Sequence, residues 1–270
     1  MILLHLAVAA LYGVAVWVLW PPPPAQPGAT PGATTSFAIW LVPAAVALHA
    51  WVAWHDIVTA AGLDLSLVHA FSAVAGLVAA VAWASGLLRT LPVVGTVVLP
   101  VAALAAFLPA FFENPHRFSI AGEPWAAAHV AVALVAYALF LVAAIQALVL
   151  MGLEKRLHRR LPDPGAAALP PLLTLERFLF RLVGTGFVLL TLTLASGMLF
   201  SEQLFGRPLV FTHKSVFSVL GWLTFGALLW GRRRYGWRGR VALRWILAGT
   251  VFVFLAYLGS KFVLEVLLGR

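Results

Sequence analysis

The chain of 270 residues contains no cysteine and few charged residues. Without cysteine it forms no disulfide, ligates no iron–sulfur cluster through its own thiols and has no thiol redox chemistry. Charged residues make up 10% of the sequence, whereas a soluble domain carries about 25%. Hydrophobic residues account for 63%, so the composition predicts a helical protein that crosses a membrane several times.

Familiar catalytic signatures are also missing. The sequence has no H-E-x-x-H metalloprotease motif, no G-x-S-x-G nucleophile elbow and no phosphate-binding Walker motif. No pair of carboxylates falls inside an apolar stretch, which argues against a proton relay. We therefore expect a protein that is not an enzyme.

Eight stretches are apolar and approach or exceed the length of about 20 residues that a spanning helix needs. They are 2–20, 36–54, 65–87, 91–112, 125–152, 177–200, 212–230 and 243–266. The first stretch has neither a basic start nor an A-x-A-like cleavage site, so we expect a retained helix. The proline-rich segment 21–35 is predicted to be a linker. The predicted fold is all-α: a polytopic transmembrane helical bundle of about eight helices in a single membrane domain, 1–270.

The formal net charge of +9 is carried largely by connections between the apolar stretches. Two of these, around 155–160 and 232–244, are rich in lysine and arginine and follow odd-numbered stretches. The positive-inside rule places them in the cytoplasm and both termini outside. Such charge placement is typical of a topology signal. We predict a multi-pass protein of the bacterial inner membrane that contacts lipid and does not bind nucleic acid.

Three histidines are candidates for binding a metal or a cofactor: His49, His129 and His213. His49 lies inside the second apolar stretch, where an unpartnered imidazole is costly. His129 is accompanied on its helix face by the small residues Ala126, Ala133 and Ala136, which leave room for a flat haem beside the ring. Small residues also serve close helix–helix contacts, so both interpretations are open at this point. His69 is a weaker candidate, and the remaining histidines are predicted to lie at interfaces without a function: His5, His55, His116 and His158.

Three motifs in the second half of the chain follow one another in a specific order. They are GFVLLTLTLASG at 186–197, HKS at 213–215 followed by Trp222, and GWRGR at 236–240. In this order they resemble the YpjD-type branch of the cytochrome c assembly family, which also contains the CcsA, CcmC and HemX types. The resemblance is best over 120–270 and weaker over 1–119.

This resemblance implies membrane helices around a haem-handling centre near the outer face, with other membrane proteins of cytochrome maturation as partners. His129 corresponds in position to an outer haem histidine of the family, and His49 to an intramembrane one. The His213–Lys214 pair corresponds to the end of the segment that presents haem. We therefore expect haem b, with its iron held by two of His129, His49 and His213 and a propionate beside Lys214.

The sequence departs from the haem-loading members of the family in two places. The segment SEQLFGRPLVFT, 201–212, contains no tryptophan, and AYLGSKFVLEVLLGR, 256–270, contains no second outer histidine. We therefore expect haem binding and assistance in cytochrome maturation, without haem attachment by this chain alone. The alternatives are a cofactor-free accessory or regulatory subunit of another membrane protein, and a small-solute transporter.

Overall fold

The computed structural model describes residues 1–19, 33–59, 62–112, 117–118, 124–158, 171–199 and 213–262. Within these ranges lie eight long helices: α1 Ile2–Leu19, α2 Ala33–Ile57, α3 Leu67–Ala84, α4 Pro92–Phe107, α5 Pro124–His158, α6 Leu172–Leu199, α7 His213–Tyr235 and α8 Gly239–Phe254. Each coincides with one of the eight apolar stretches. His116, the segment 201–212 and residues 263–270 lie outside the described residues, as does most of the predicted linker 21–35.

Six of these helices, α3 to α8, are long and apolar enough to cross a membrane. Helix α1 is apolar but shorter, over Ile2–Val18. The helical membrane bundle is thus confirmed in outline. The count of eight spans and the placement of both termini on the outer side of the membrane stay predictions.

Short elements connect the helices. Strands β1 Val58–Thr59, β2 Gly62–Asp64 and β3 Arg117–Phe118 form a small antiparallel sheet in that order. These strands are two or three residues long and were not predicted, since the sequence pattern indicated only helices. Pairing of β2 with β3 ties the α2–α3 connection to the α4–α5 connection, so both connections lie at the same end of the molecule.

Three short helical turns lie next to the long helices. One turn of α-helix, Leu87–Thr90, links α3 to α4, and a 3₁₀ turn, Leu108–Ala110, follows α4. A π-helical turn, Leu255–Gly259, continues α8 into Ser260–Phe262.

The eight helices form two rings of four. In the N-terminal bundle, α1 and α3 each pack against both α2 and α4. In the C-terminal bundle, α5 and α7 each pack against both α6 and α8. The two bundles meet mainly where α3 packs against α5. Neighbouring helices in a ring run antiparallel, as paired contacts show. His5 and Tyr12 of α1 meet Asp56 and His49 of α2, and His129 and Gln146 of α5 meet Ser196 and Leu175 of α6.

The centre of the C-terminal bundle is a stacked pair of phenylalanines from α5 and α7. The rings of Phe140 and Phe225 are fully buried, 3.9 Å apart between centroids and inclined by 8°. Gly186 of α6 and Gly249 of α8 close the stack from either side. A Cβ atom at Gly186 would lie 2.9 Å from Phe140, and one at Gly249 would lie 2.8 Å from Phe225. All four helices therefore meet at this stack, and small residues let them approach, as is common between helices in lipid.

Two buried polar side chains also link α5 to its neighbours. The Tyr137 hydroxyl donates to the Val253 carbonyl oxygen of α8 at 2.5 Å. The Gln146 amide donates to the Leu175 carbonyl oxygen of α6 at 2.8 Å. In hydrocarbon a polar group without a partner is costly, so these bonds favour one register of α5 against α6 and α8.

We expect Gly186→Ala to destabilise the C-terminal bundle. The new methyl group would meet Phe140, which cannot retreat because it is stacked on Phe225 and that ring lies against Gly249. Overpacking of this kind costs about 1–3 kcal/mol. The measurement is the thermal unfolding midpoint in detergent.

Gly184→Ala on the same helix is the matched control, because a Cβ atom there meets nothing within 4 Å. Alanine is also the better helix former, so this variant should unfold at the wild-type temperature or above it. Equal losses at the two positions would contradict the role of the glycine–phenylalanine stack.

Candidate functional site

Histidines from both bundles lie at one end of the molecule, called here the histidine end. It comprises the starts of α1, α3, α5 and α7, together with the ends of α2, α4, α6 and α8. His5 near the start of α1 lies 2.8 Å from the Ala106 carbonyl oxygen near the end of α4. His129 near the start of α5 lies 2.8 Å from the Ser196 hydroxyl near the end of α6. Pairing of β2 with β3 links the two bundles at this same end.

The hydrogen bond between His129 and Ser196 favours the tautomer of His129 in which Nδ1 carries the proton. The Ser196 hydroxyl is 2.8 Å from the Leu192 carbonyl oxygen and donates its single proton to the backbone of its own helix. Its oxygen therefore accepts from the His129 Nδ1–H at 2.8 Å. Nε2 then carries the lone pair, and it has no partner within the described part of the chain. A neutral imidazole with one nitrogen held in this way is suited to bind a metal ion through the other nitrogen.

The alanines on the helix face of His129 serve helix packing in part. A Cβ atom at Gly197 would lie 3.4 Å from the His129 ring, so the ring lies close to the backbone of α6. Ala126 and Ala136 are buried and Ala133 is half-buried. Close helix packing therefore accounts for Ala126 and Ala136, whereas Ala133 keeps part of its surface exposed.

His213 and Lys214 begin α7 at the same mouth of the C-terminal bundle, and both are exposed. The Lys214 ammonium is 5.4 Å from the centre of the Tyr257 ring, which itself meets Tyr137 edge to face. Lys214 is also close enough to His129 to interact with it electrostatically. The structure thus brings together, from α5, α6, α7 and the continuation of α8, the residues that we call the His129 site: His129, Ser196, His213, Lys214 and Tyr257.

His49 lies in a different environment. It is 1% exposed, inside the N-terminal bundle. The Tyr12 hydroxyl is 3.3 Å from Nδ1, and the Ser72 hydroxyl is 2.9 Å from Nε2. A Cβ atom at Gly76 would lie 2.9 Å from the same ring. Both nitrogens are therefore engaged, and an iron atom would have to displace a hydroxyl to reach either of them. His49 as a haem ligand stays a prediction.

A cluster of histidines and carboxylates near the small sheet was missed by the sequence analysis. His5 is 3% exposed, and its Nε2 lies 3.6 Å from Asp56. His69 lies 3.3 Å from Asp64, which also accepts a hydrogen bond from the Ser66 backbone N–H at 3.1 Å. His5 is thus buried and paired with Asp56, a pairing that was not predicted. Residues 51 positions apart could not be matched from spacing.

This cluster holds helix ends together. It joins α1 to α2 and α4, and it fixes the start of α3 beside the sheet. Among the described residues, no group of three or more histidines and carboxylates has the arrangement of a metal site. Because the side chains of the cluster pair with one another and with the backbone, we interpret the cluster as structural and take the His129 site as the candidate for function.

The chain is similar to one protein family and to several known proteins. The family model described as cytochrome C assembly protein matches residues 33–268. The inner membrane protein YpjD of Escherichia coli K12 is 34% identical over 177 residues, which are 66% of this chain and 65% of that protein. An uncharacterised 28.8 kDa protein of Azospirillum brasilense is 35% identical over 168 residues, 62% of each chain. The cytochrome c biogenesis protein CcsA of Gloeobacter violaceus is 32% identical over 92 residues, 34% of this chain and 27% of that protein.

No solved structure matches the chain. The match with the Escherichia coli relative spans just under two thirds of that protein, at 65% of its length. Together with the six helices capable of spanning a membrane, this similarity confirms a multi-pass protein of the inner membrane. The family model covers most of the chain, and the resemblance inferred from the late motifs is confirmed. The chain belongs to the cytochrome C assembly protein family.

Proposed function

We propose that the chain binds haem b at the His129 site and assists cytochrome maturation without catalysing haem attachment itself. The observation that carries the proposal is the hydrogen bond from His129 Nδ1–H to Ser196, which leaves the Nε2 lone pair available. The name of the similar CcsA proteins refers to cytochrome c biogenesis. Family membership and the state of this imidazole therefore point to the same cofactor.

The donor set of the His129 site suits haem chemistry. Haem would supply an iron atom, which a neutral imidazole commonly ligates, and two propionates. His129 would hold the iron through Nε2, while Ser196 fixes the tautomer and the orientation of the ring. Lys214, an exposed point charge near His129, would neutralise a propionate.

The second axial ligand is better supplied by His213 than by His49. His213 is exposed and begins α7 beside Lys214, at the same mouth as His129. The contacts of His49 are with Tyr12, Ser72 and Gly76 in the other bundle, and both of its nitrogens are engaged. Binding iron through His49 would leave a buried hydroxyl without its partner, which is costly.

The second candidate function is that of a cofactor-free accessory subunit of another membrane protein. It is favoured by the burial of Ala126 and Ala136, since these alanines serve helix packing and leave no wide slot beside His129. The two candidates differ in one observable, the absorption spectrum of haem.

We expect the protein purified in detergent from haem-replete cells to show a Soret band and, after reduction with dithionite, a low-spin spectrum. His129→Ala should abolish the band because it removes the iron ligand held by Ser196. His55→Ala is the matched control: His55 is an exposed histidine near the same end, and its ring contacts Trp51 instead. If wild-type protein shows no Soret band even after hemin is added, the haem proposal is wrong and the accessory function takes its place.

Ser196→Ala should weaken hemin binding by about 10–100-fold, the usual effect of losing the hydrogen bond behind a ligating histidine. Ser196→Thr keeps the hydroxyl and should retain most of the affinity. The measurement is hemin titration followed at the Soret maximum. Equal affinity of Ser196→Ala and wild type would show that Ser196 does not orient an iron ligand.

The second ligand can be identified from the spin state. We expect His213→Ala to convert the six-coordinate low-spin spectrum into a five-coordinate high-spin one, because one axial position is vacated. His49→Ala should leave the spectrum unchanged and lower the unfolding temperature, since it opens a cavity between α1, α2 and α3. If His49→Ala changes the spin state and His213→Ala leaves it unchanged, His49 is the second ligand.

A further inference from the structure

The opposite end of the C-terminal bundle has an excess of arginine around the α7–α8 turn. Two carboxylates reach this region: Glu176 pairs with Arg232 at 3.4 Å, and Glu154 lies 3.7 Å from Arg240. Arg232 also lies 3.5 Å above the Phe180 ring, so it is held in place. The other arginines are exposed and have no ion pair among the described residues: Arg233, Arg234, Arg238 and Arg244.

The backbone of the turn has a defined conformation. Gly236 and Gly239 adopt φ angles of +67° and +54°, in the left-handed region that glycine favours. The Gly236 N–H donates to the Arg232 carbonyl oxygen at 3.1 Å, and the Trp237 N–H donates to the Gly231 carbonyl oxygen at 3.3 Å. These bonds end α7 and hold the turn that precedes α8. The arginines on either side of the turn therefore have defined positions.

Aromatic side chains surround the same turn. A methyl group at Gly231 would overlap the Trp237 indole, so glycine is required for this ring to fold back on α7. The ring centroids of Trp237 and Trp245 are 5.2 Å apart. Trp230 meets Tyr235 edge to face, with 5.3 Å between ring centroids. Trp230 and Tyr235 are exposed. Tryptophan and tyrosine concentrate at the level of lipid headgroups, so the turn lies at the membrane surface.

We propose that this surface binds the headgroup of an anionic phospholipid. The arginine turn is defined as Arg233, Arg234, Arg238, Arg240 and Arg244 with the connecting residues 235–239. Guanidinium groups bind phosphate oxygens in pairs of hydrogen bonds. Among the described residues, the ion pairs at this end join Glu176 to Arg232 and Glu154 to Arg240. The arginine charge that these carboxylates do not balance therefore favours an anionic partner at this position.

A lipid fits this position better than a soluble anion. The exposed aromatic rings of Trp230 and Tyr235 and the exposed apolar side chains of Leu223 and Val251 lie on the two helices that carry the arginines. A phospholipid can place its phosphate among the arginines and its acyl chains along these residues. Free phosphate would use only the charged part of the surface.

The proposal is more specific than a topology signal. A topology signal depends on the number of cations near a helix end, so it would treat all exposed arginines alike. Arg177 and Arg181 near the start of α6 are also exposed, at the same end of the bundle. They lie outside the aromatic turn and therefore serve as a matched pair for comparison.

The test uses full-length protein in nanodiscs or detergent with phosphatidylglycerol, with phosphatidylcholine, or with inorganic phosphate in place of added lipid. Bound lipid is counted by native mass spectrometry, and the unfolding midpoint is followed against lipid concentration. We expect wild-type protein to retain phosphatidylglycerol in preference to phosphatidylcholine. The double variant Arg234→Gln with Arg238→Gln should lose at least fivefold in retention, whereas Arg177→Gln with Arg181→Gln should stay within twofold of wild type.

Several outcomes would overturn the proposal. One is the absence of a preference for phosphatidylglycerol in the wild type. Another is an equal loss in the two double variants, which would mean that net charge alone decides. Stabilisation by inorganic phosphate as large as that by phosphatidylglycerol would assign the site to a free anion. If the glutamine variant does not fold, Arg234→Lys with Arg238→Lys keeps the charge and removes the planar guanidinium groups; full retention by that variant contradicts paired hydrogen bonding.

Discussion

The stack of Phe140 and Phe225 between Gly186 and Gly249 is the contact on which the C-terminal bundle depends. Apolar surface gives little drive for helix association in lipid, so close packing has to supply it. One contact that involves α5, α6, α7 and α8 determines how all four helices lie against one another. The His129 site at one end and the arginine turn at the other are positioned by this arrangement.

Two histidines in the same membrane protein illustrate how hydrogen-bond partners define a role. His49 is enclosed by two hydroxyls and a glycine, which satisfies both ring nitrogens. His129 donates to a serine that already serves its own backbone, so its other nitrogen keeps a lone pair. The first arrangement joins helices, and the second prepares an imidazole for a ligand. Residue type does not separate these two cases.

The sequence was sufficient for the position of every long helix, because apolar runs of membrane length leave the backbone few alternatives to a helix. It also indicated His129 as a candidate and the late motifs as family signatures. The hydroxyl of Ser196 bonds its own helix, which is a local contact. Its contact with His129, 67 positions away, was not predictable from periodicity. The pairing of His5 with Asp56 was missed for the same reason.

The sequence alone therefore determined a helical membrane protein, the spacing of its helices and its family. These follow from composition and from local patterns, which act over one helix at a time. The tertiary structure alone decided that the helices form two rings of four, that His49 and His129 have different partners, and that Trp237 folds onto Gly231. Each of these depends on which helix faces meet, and that choice rests on contacts between residues far apart in the chain.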